Sequence, residues 1–277
     1  MTGPDWGDPR MVRARSDVAV WDVGAGDPVL VLHGFPDCPQ GMASLVDRLV
    51  AAGFRCLVPS LPGYDPSAPV DDYRTAAIAG DMIAVLDALG LGACPVVGHD
   101  WGGCVALDLG AEHPERVGHV VSLAIPHPDG FAARRNDLQE QKTAAYAWIL
   151  AYSGSAARLA ADPVWLDQIH AEWSPGLERP EWDLAKAVLA RPGVGEAVHR
   201  WYRDDFEATG GTGDVRVPTL MLHGSADGCI RPACFRGFEE RFPAGLDLEE
   251  RPGVGHWLHV EDPDGIAARI VAFLRAG

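Results

Sequence analysis

Short apolar runs alternate with longer amphipathic segments through much of the chain. Runs of strand character, rich in valine, leucine and isoleucine, occupy residues 18–23, 29–32, 55–58, 94–97, 117–125, 217–222 and 246–248. Apolar residues recur at helical spacing in residues 45–52, 72–89, 102–112 and 266–274. Strands that alternate with helices in this way are typical of a mostly parallel sheet with helices on both faces. The predicted fold class is therefore α/β.

The middle of the chain has a different pattern. From about Asp129 to Gly213 strand-like runs are absent, and glycine and proline separate several helical segments. Five of the nine tryptophans lie in this stretch: Trp148, Trp165, Trp173, Trp182 and Trp201. The glycine-rich residues 210–213 predict a linker back to the sheet. The predicted organisation is a flexible N-terminal tail (1–10), an α/β core (11–126 and 214–277) and an inserted all-helical cap over the strand ends (127–213).

The charge and composition of the chain argue against some classes of binding partner. Of the 277 residues, 47% are hydrophobic and 22% are charged, which is ordinary for a soluble globular protein. The net charge of −16 argues against nucleic acid or an anionic membrane surface as partner, because both are bound by basic patches. No apolar run approaches the roughly 18 residues of a membrane span. Residues 1–10 lack the apolar core of a signal peptide, and the six cysteines form no CxxC pair. We therefore expect a cytoplasmic monomer or homodimer with reduced thiols.

The sequence CPVVGHDWGG at residues 94–103 contains the first candidate for chemistry. A short apolar run leads into a sharp turn, in which Gly98 and Gly102 flank Asp100, and a helical segment follows. Such a strand–turn–helix raises its central side chain above the sheet and places it at a helix N-terminus, which favours an anion. A carboxylate there can displace a leaving group from a saturated carbon and form an ester. The alternative is a glycine-rich turn with a solvated aspartate.

Two downstream residues complete a possible triad with this aspartate. Asp227 follows the strand-like run 217–222, and His256 lies on a glycine-rich loop after the last predicted strand. The order nucleophile, acid, histidine is that of the α/β-hydrolase fold. Asp227 can hold the imidazole in one tautomer, and His256 can then activate water. Taken alone, Asp227 could be a helix cap and His256 a structural residue.

A nucleophile of this kind also needs backbone donors. Phe35 follows His33-Gly34 directly after a predicted strand, where the oxyanion loop of a hydrolase is expected. We expect the backbone N–H groups of Phe35 and Trp101 to form the oxyanion hole. Four further histidines are expected to be structural: His33, His99, His223 and His259.

Four motifs resemble those of the epoxide hydrolases of the α/β-hydrolase fold. They are HGFP at 33–36, GHDWGG at 98–103, IPHP at 125–128 and GHW at 255–257. The resemblance covers nearly the whole chain. It implies an α/β-hydrolase fold and an apolar small-molecule epoxide bound between core and cap. It also implies attack by Asp100, hydrolysis of the ester by water activated by His256 and Asp227, and no metal or cofactor.

The same resemblance implies two cap tyrosines that donate hydrogen bonds to the epoxide oxygen. One belongs to a Trp-Tyr-Arg motif, which is present here and identifies Tyr202. The other precedes a glycine-bearing turn, and Tyr146, followed by Gly154, fits that spacing best. Tyr152 is the weaker candidate. The turn has Ser153 before its glycine, where the family usually has proline.

Two other classes of function remain open at this level. Haloalkane dehalogenases share the aspartate and the following tryptophan, but they need a second halide donor, often an asparagine where this chain has Phe35. Trp148 in the cap could take that role. Fluoroacetate-type dehalogenases resemble the chain too, although they have arginine at the position of Trp101. The third possibility is a ligand receptor that uses a hydrolase fold without turnover.

Overall fold

One eight-stranded sheet forms the centre of the computed structural model, which describes residues 4–208 and 212–276. Residues 1–3 of the predicted tail and residues 210 and 211 of the predicted linker lie outside the described residues. The strands are β1 Arg10–Arg13, β2 Asp17–Gly24, β3 Asp27–Leu32, β4 Phe54–Pro59, β5 Val96–His99, β6 Val120–Leu123, β7 Thr219–Gly224 and β8 Leu246–Arg251.

The sheet has the strand order β1-β2-β4-β3-β5-β6-β7-β8. Neighbouring strands from β4 to β8 in this order run parallel, whereas β2 is antiparallel to both β1 and β4. The parallel strands require crossover connections, and helices supply them. The prediction of a mostly parallel α/β sheet is confirmed.

In the part of the chain that the structure describes, twelve helices surround this sheet or lie in the insertion, and short 3₁₀ turns accompany them. They are α1 Ala43–Ala51, α2 Thr75–Ala88, α3 Trp101–Glu112, α4 Pro128–Ala132, α5 Leu138–Thr143, α6 Ala145–Tyr152, α7 Ala156–Leu159, α8 Pro163–Trp173, α9 Trp182–Leu189, α10 Val194–Phe206, α11 Leu258–Glu261 and α12 Pro263–Leu274. Among the helices of the described residues, none has both the length and the hydropathy needed to cross a membrane.

Side chains of successive strand residues enter two separate apolar cores. In β3, Leu30 and Leu32 pack into the core that contains α2 and α3. Val29 and Val31 point to the other face, where α1 and α12 cover the sheet. This arrangement follows from the two-residue period of a strand, and it explains why β3 is apolar at four consecutive positions.

Seven of the helices, α4 to α10, lie in the insertion between β6 and β7. Their contacts with the core involve loops that follow the carboxyl ends of strands. For example, the indole of Trp201 donates to the carbonyl of Pro62 at 3.1 Å, and the Gly228 N–H donates to the carbonyl of Trp173 at 3.2 Å. The helical insertion, residues 128–206, therefore packs against the end of the sheet at which α/β proteins bind their ligands.

Several element boundaries differ from the sequence-based expectation. Strand β1 was not expected, because its sequence RMVR has too few apolar positions to show a period. Strand β6 is shorter than the predicted run 117–125, since Ala124 adopts a φ of +62° and ends it. Helix α2 begins at Thr75 rather than at residue 72, because the Asp72 side chain binds the backbone N–H of Arg74 at 3.0 Å. In the expected tail, Trp6 packs against Trp21 with ring centroids 6.5 Å apart.

Candidate active site

Asp100 occupies the sharp turn between β5 and α3. Its backbone has φ +53° and ψ −124°, a region that is strained for any residue with a side chain. A Cβ on Gly98 would overlap the backbone oxygen of Gly102, and a Cβ on Gly102 would overlap the carbonyl of Leu32. Both glycines are therefore required by close backbone approach. The turn places the Asp100 carboxylate at the N-terminus of α3, where free N–H groups favour negative charge.

The two carboxylate oxygens of Asp100 have different surroundings. Oδ1 accepts a hydrogen bond from the Phe35 N–H at 2.7 Å. Oδ2 faces His256, whose Nε2 lies 3.6 Å away. Trp101 is the first residue of α3, so its N–H has no partner within the helix and can also bind an oxyanion. The predicted oxyanion donors and the predicted nucleophile therefore lie together, with Asp100 only 4% exposed.

Asp227 and His256 form a hydrogen bond of 2.9 Å between Oδ2 and Nδ1. The other oxygen of Asp227 accepts from the backbone N–H groups of Cys229, at 2.7 Å, and Ile230, at 2.9 Å. These bonds fix the carboxylate and make it an acceptor for Nδ1–H. The remaining nitrogen, Nε2, then faces Asp100. The structure thus brings together all three residues of the predicted triad.

The two carboxylates decide the charge of the histidine between them. Burial by itself lowers the pKa of His256, because the imidazolium loses its hydration. The charges of Asp227 and Asp100 and the hydrogen bond between the ring and Asp227 outweigh burial and raise the pKa to about 10. His256 is therefore an imidazolium at neutral pH when Asp100 is ionised.

The C-terminal end of α8, in the helical insertion, holds the histidine loop. The His256 N–H donates to both the Ser174 Oγ, at 2.8 Å, and the carbonyl of Trp173, at 3.1 Å. A Cβ on Gly255 would lie 2.6 Å from the Ser174 Oγ, so only glycine fits there. The carbonyl end of a helix carries partial negative charge, which favours a cationic imidazole nearby.

The four histidines that we expect to be structural are buried, and they lie outside the space between the Asp100 and Asp227 carboxylates. His33 accepts from the Leu61 N–H at 3.0 Å, and burial lowers its pKa to about 4. The His99 Nε2 lies 3.0 Å from the carbonyl of His256. His223 stacks on Phe235. Burial, the largest influence, also lowers the pKa of His259 to about 4.

The two preferred tyrosines lie side by side, with ring centroids 6.0 Å apart. Tyr202, on α10, has a buried hydroxyl without a hydrogen-bond partner among the described residues. The Tyr146 hydroxyl, on α6, lies 3.1 Å from the Cys229 Sγ. Burial raises the pKa of both tyrosines well above the usual value, so both hydroxyls keep their protons. Tyr152 is half exposed and stacks on Trp148.

A cavity of about 730 Å³ separates the core from the insertion at this point. The core contributes Asp100, Trp101 and Ile125 to its wall, and the insertion contributes Tyr146 and Tyr202. Its lining is predominantly apolar, as expected for a site that binds an apolar small molecule with a few polar anchors. Tyr152 does not line this cavity, so the geometry favours Tyr146 as the second hydroxyl at the site.

A buried ion pair lies next to the site and was not predicted from the sequence. The Arg179 guanidinium, in the insertion, lies 2.7 Å from the Asp37 carboxylate, and neither side chain is exposed. Asp37 also accepts from the Trp257 indole at 3.1 Å. This pair ties the insertion to the loop that carries Phe35 and to the loop that carries His256. The position of Asp37 directly after the HGFP motif does not reveal its partner, which lies 142 residues further along the chain.

Comparisons with known proteins place the chain among hydrolases. The family model described as alpha/beta hydrolase fold matches residues 27–263. The AB hydrolase superfamily protein YfhM of Bacillus subtilis is 35% identical over 271 residues, covering 90% of this chain and 91% of that protein. An epoxide hydrolase of Caballeronia sordidicola is 26% identical over 300 residues, covering 92% of this chain and 90% of that protein.

Solved structures share the architecture. Epoxide hydrolase A from Mycobacterium thermoresistibile has a TM-score of 0.81 at 24% identity, covering 96% of this chain and 98% of that chain. Epoxide hydrolase VrEH1 from Vigna radiata has a TM-score of 0.83 at 22% identity and covers both chains completely, at 100% each. At these identities the likeness concerns the fold.

Proposed function

The chain belongs to the alpha/beta hydrolase fold family, and from that premise we propose that it hydrolyses epoxides to vicinal diols through an ester on Asp100. One observation carries the proposal. Two buried, protonated tyrosine hydroxyls, on Tyr146 and Tyr202, line the same cavity as an aspartate at the nucleophile position. Relatives named epoxide hydrolases, such as that of Caballeronia sordidicola, support the substrate class.

In the first step, Asp100 attacks a ring carbon of the epoxide. A bond forms between a carboxylate oxygen and that carbon, and the bond from the carbon to the ring oxygen breaks. Hydrogen bonds from Tyr202 and Tyr146 stabilise the charge that develops on the departing oxygen. We propose that Oδ2 is the attacking oxygen, since Oδ1 is held by the Phe35 N–H.

His256 supplies the proton that the departing oxygen takes up in this step. The departing oxygen needs a proton, and the high pKa of both tyrosines opposes a lasting tyrosinate. Esterification removes the charge of Asp100, one of the influences that raise the pKa of His256. The imidazolium then loses its proton more readily, and that proton can pass to the ring-opened oxygen through a tyrosine hydroxyl. His256 becomes neutral when the second step needs a base.

In the second step, His256 takes a proton from water, and the resulting hydroxide attacks the ester carbonyl. The oxyanion that forms is stabilised by the N–H groups of Phe35 and Trp101. The acyl–oxygen bond breaks, and the diol oxygen leaves with the proton from His256. The new carboxyl group of Asp100 returns a proton to the imidazole, which restores the starting charges. In this proposal the helical insertion acts as the cap that keeps bulk water out.

A substrate panel tests the proposed function. Purified protein is incubated with aryl, aliphatic and bulky polycyclic epoxides and, in parallel, with haloalkanes, and both diol and halide are measured. We expect diol from at least one epoxide class and no halide release. The Asp100→Asn variant should give neither product. Halide without diol would instead support a dehalogenase, and binding without turnover would support a receptor.

A further inference from the structure

A third potential ligand lies beside the nucleophile and the histidine. Cys229, on the loop after β7, is buried and lines the cavity. One ligand atom each from Asp100, Cys229 and His256 lies within 4.8 Å of the other two. The three residues come from three separate loops, and sequence spacing alone gives no sign of this cluster.

The chemistry of the three groups matches one class of ion. Carboxylate, imidazole and thiolate together form a donor set that Zn²⁺ and other thiophilic divalent cations prefer. Three protein ligands with a fourth position open to a cavity are common at zinc sites. The imidazole is already oriented for binding, because Asp227 holds its Nδ1 at 2.9 Å. A carboxylate behind a metal-bound histidine usually serves this purpose.

The His256 Nε2 is buried and has no hydrogen-bond partner among the described residues, so it can bind a metal ion once the imidazolium loses its Nε2 proton. It lies 3.6 Å from the Asp100 Oδ2. Ligand atoms about 2.0–2.3 Å from a tetrahedral zinc ion lie roughly 3.3–3.8 Å apart. Nε2 and Oδ2 already have this spacing, and the Cys229 sulfur lies within 4.8 Å of both ligand atoms.

Charge balance also favours the ion. The Cys229 thiol and the His256 imidazolium both carry a proton in the empty site, and binding of a divalent cation would release both protons. One thiolate, one carboxylate and one neutral imidazole then neutralise the two positive charges of the ion. A neutral cluster avoids the cost of burying a net charge.

We infer that Asp100, Cys229 and His256 form a binding site for a thiophilic divalent cation such as Zn²⁺. The ion would bind to an oxygen of Asp100 and to the Nε2 of His256. It would therefore inhibit any reaction that uses these two atoms. The inference rests on the ligand geometry and holds whether or not the substrate is an epoxide.

A second buried cluster provides a contrast. Ligand atoms of Asp37, His99 and His259 also lie within 4.8 Å of one another. However, the Arg179 guanidinium is paired with Asp37 at 2.7 Å. Its positive charge repels a cation, so we expect zinc binding at the Cys229 cluster alone of these two.

Titration of the intact protein with Zn²⁺, followed by calorimetry, tests the site directly. Excess Mg²⁺ is included to occupy the surface carboxylates of a chain with a net charge of −16. Cd²⁺ is used in a parallel titration, since a cadmium–thiolate bond gives an ultraviolet charge-transfer band. We expect one tight site per chain, appearance of that band, and inhibition of turnover that a chelator reverses.

Three variants distinguish this site from other zinc binding. Cys229→Val should weaken Zn²⁺ binding by at least about 10²-fold, beyond the 10–100-fold typical of losing an outer-shell partner, and should abolish the cadmium band. Cys229→Ser retains size and a hydroxyl ligand, so it should bind more weakly than the wild type and also lack the band. Cys104→Ser removes a thiol from the same cavity and should leave Zn²⁺ affinity and the band unchanged.

Circular dichroism first establishes that each variant is folded. Equal Zn²⁺ affinity in the wild type and Cys229→Val would overturn the inference, as would a wild type that shows no cadmium band. These results are independent of the substrate panel. Failure of the proposed epoxide hydrolysis would leave the metal titrations interpretable.

Discussion

The imidazole of His256 lies between two carboxylates at different distances. Its Nδ1 is hydrogen-bonded to Asp227, whereas its Nε2 is 3.6 Å from the Asp100 Oδ2, slightly beyond hydrogen-bond range. Both carboxylates contribute to a pKa of about 10 for His256. In the proposed mechanism only the Asp100 charge is removed, when the ester forms. The same histidine can therefore be a cation in the free protein and a base in the ester.

The charge of Asp100 should be visible in the titration of His256. Asp100→Asn imitates the neutral ester and removes one of the influences that raise the pKa. We expect the pKa of His256 to fall below its value of about 10 in this variant. Nuclear magnetic resonance of the labelled imidazole across the pH range measures it. An unchanged pKa would mean that Asp227 alone sets the charge, and the proposed switch from acid to base would be wrong.

Removal of His256 should stop the reaction after ester formation. The first step needs Asp100 and the tyrosine donors, and without His256 the ring-opened oxygen takes its proton from water through a tyrosine hydroxyl. The second step needs a base, because neutral water attacks esters slowly. His256→Gln mixed with an epoxide substrate should gain the mass of that substrate. Peptide mapping should locate the added mass on Asp100, and Asp100→Asn should acquire none.

Isotope labelling provides an independent check of the same intermediate. A single turnover of the wild type in ¹⁸O-water should place the label in the Asp100 carboxylate, since water attacks the ester carbonyl. If the label appears only in the diol, water has attacked the epoxide directly. Asp100 would then be a general base and not a nucleophile.

The tyrosines should affect the first step selectively. A donor to the departing oxygen acts mainly in the transition state, so Tyr202→Phe should slow ester formation by about 10²-fold or more. Tyr146→Phe should act in the same direction. Tyr152→Phe is the matched control, because Tyr152 is 52% exposed and lies outside the cavity lining. Single-turnover kinetics separate the two steps, and a wild-type rate of ester formation in Tyr202→Phe would exclude its role.

The buried Asp37–Arg179 pair should be important for stability. Arg179→Met leaves the Asp37 carboxylate buried without its partner, which typically costs about 3–5 kcal/mol. The control is Arg13→Met, which removes an exposed pair with Asp17 and should change stability by about 0–1 kcal/mol. Chemical denaturation measures the free energy of unfolding of each variant.

The loss of stability caused by Arg179→Met should depend on pH in one direction. The Arg179 charge and hydrogen bond outweigh burial and hold the pKa of Asp37 below its usual value. The stability contributed by the pair is therefore present above the unfolded pKa and is lost as pH falls through the folded pKa. The difference between Arg179→Met and the wild type should shrink toward acid pH.

Addition of Asp37→Asn to Arg179→Met should restore part of the loss, and an additive double variant would contradict an energetic coupling of the two residues.

The sequence by itself determined the local architecture and the order of the candidate triad. Strand and helix periods are properties of neighbouring residues, so β3 and α12 are visible without any tertiary contact. The turn around Asp100 is visible too, because Gly98 and Gly102 flank it within one short segment, although the close contact of Gly102 is with Leu32 on β3. The positions of Asp227 and His256 after predicted strands followed from the same local pattern.

Only the tertiary structure shows which of the two tyrosines of α6 lines the cavity. Helix α6 has the sequence AYAWILAY, which is apolar on all sides, so its pattern does not reveal which face packs inward. Tyr146 and Tyr152 are six residues apart and point in different directions from the helix. The contact of Tyr146 with Trp173, with ring centroids 4.7 Å apart, places Tyr146 inside.

The tertiary structure also decided which distant groups meet at the site. Cys229 reaches Asp100 and His256 because three loops converge at one end of the sheet. Arg179 reaches Asp37 across 142 residues of chain because the insertion folds back over the strand ends. Neither contact leaves a periodic or local signal in the sequence. Both arise from the packing of whole elements, which is set by the sum of many weak apolar contacts and not by the residues that meet.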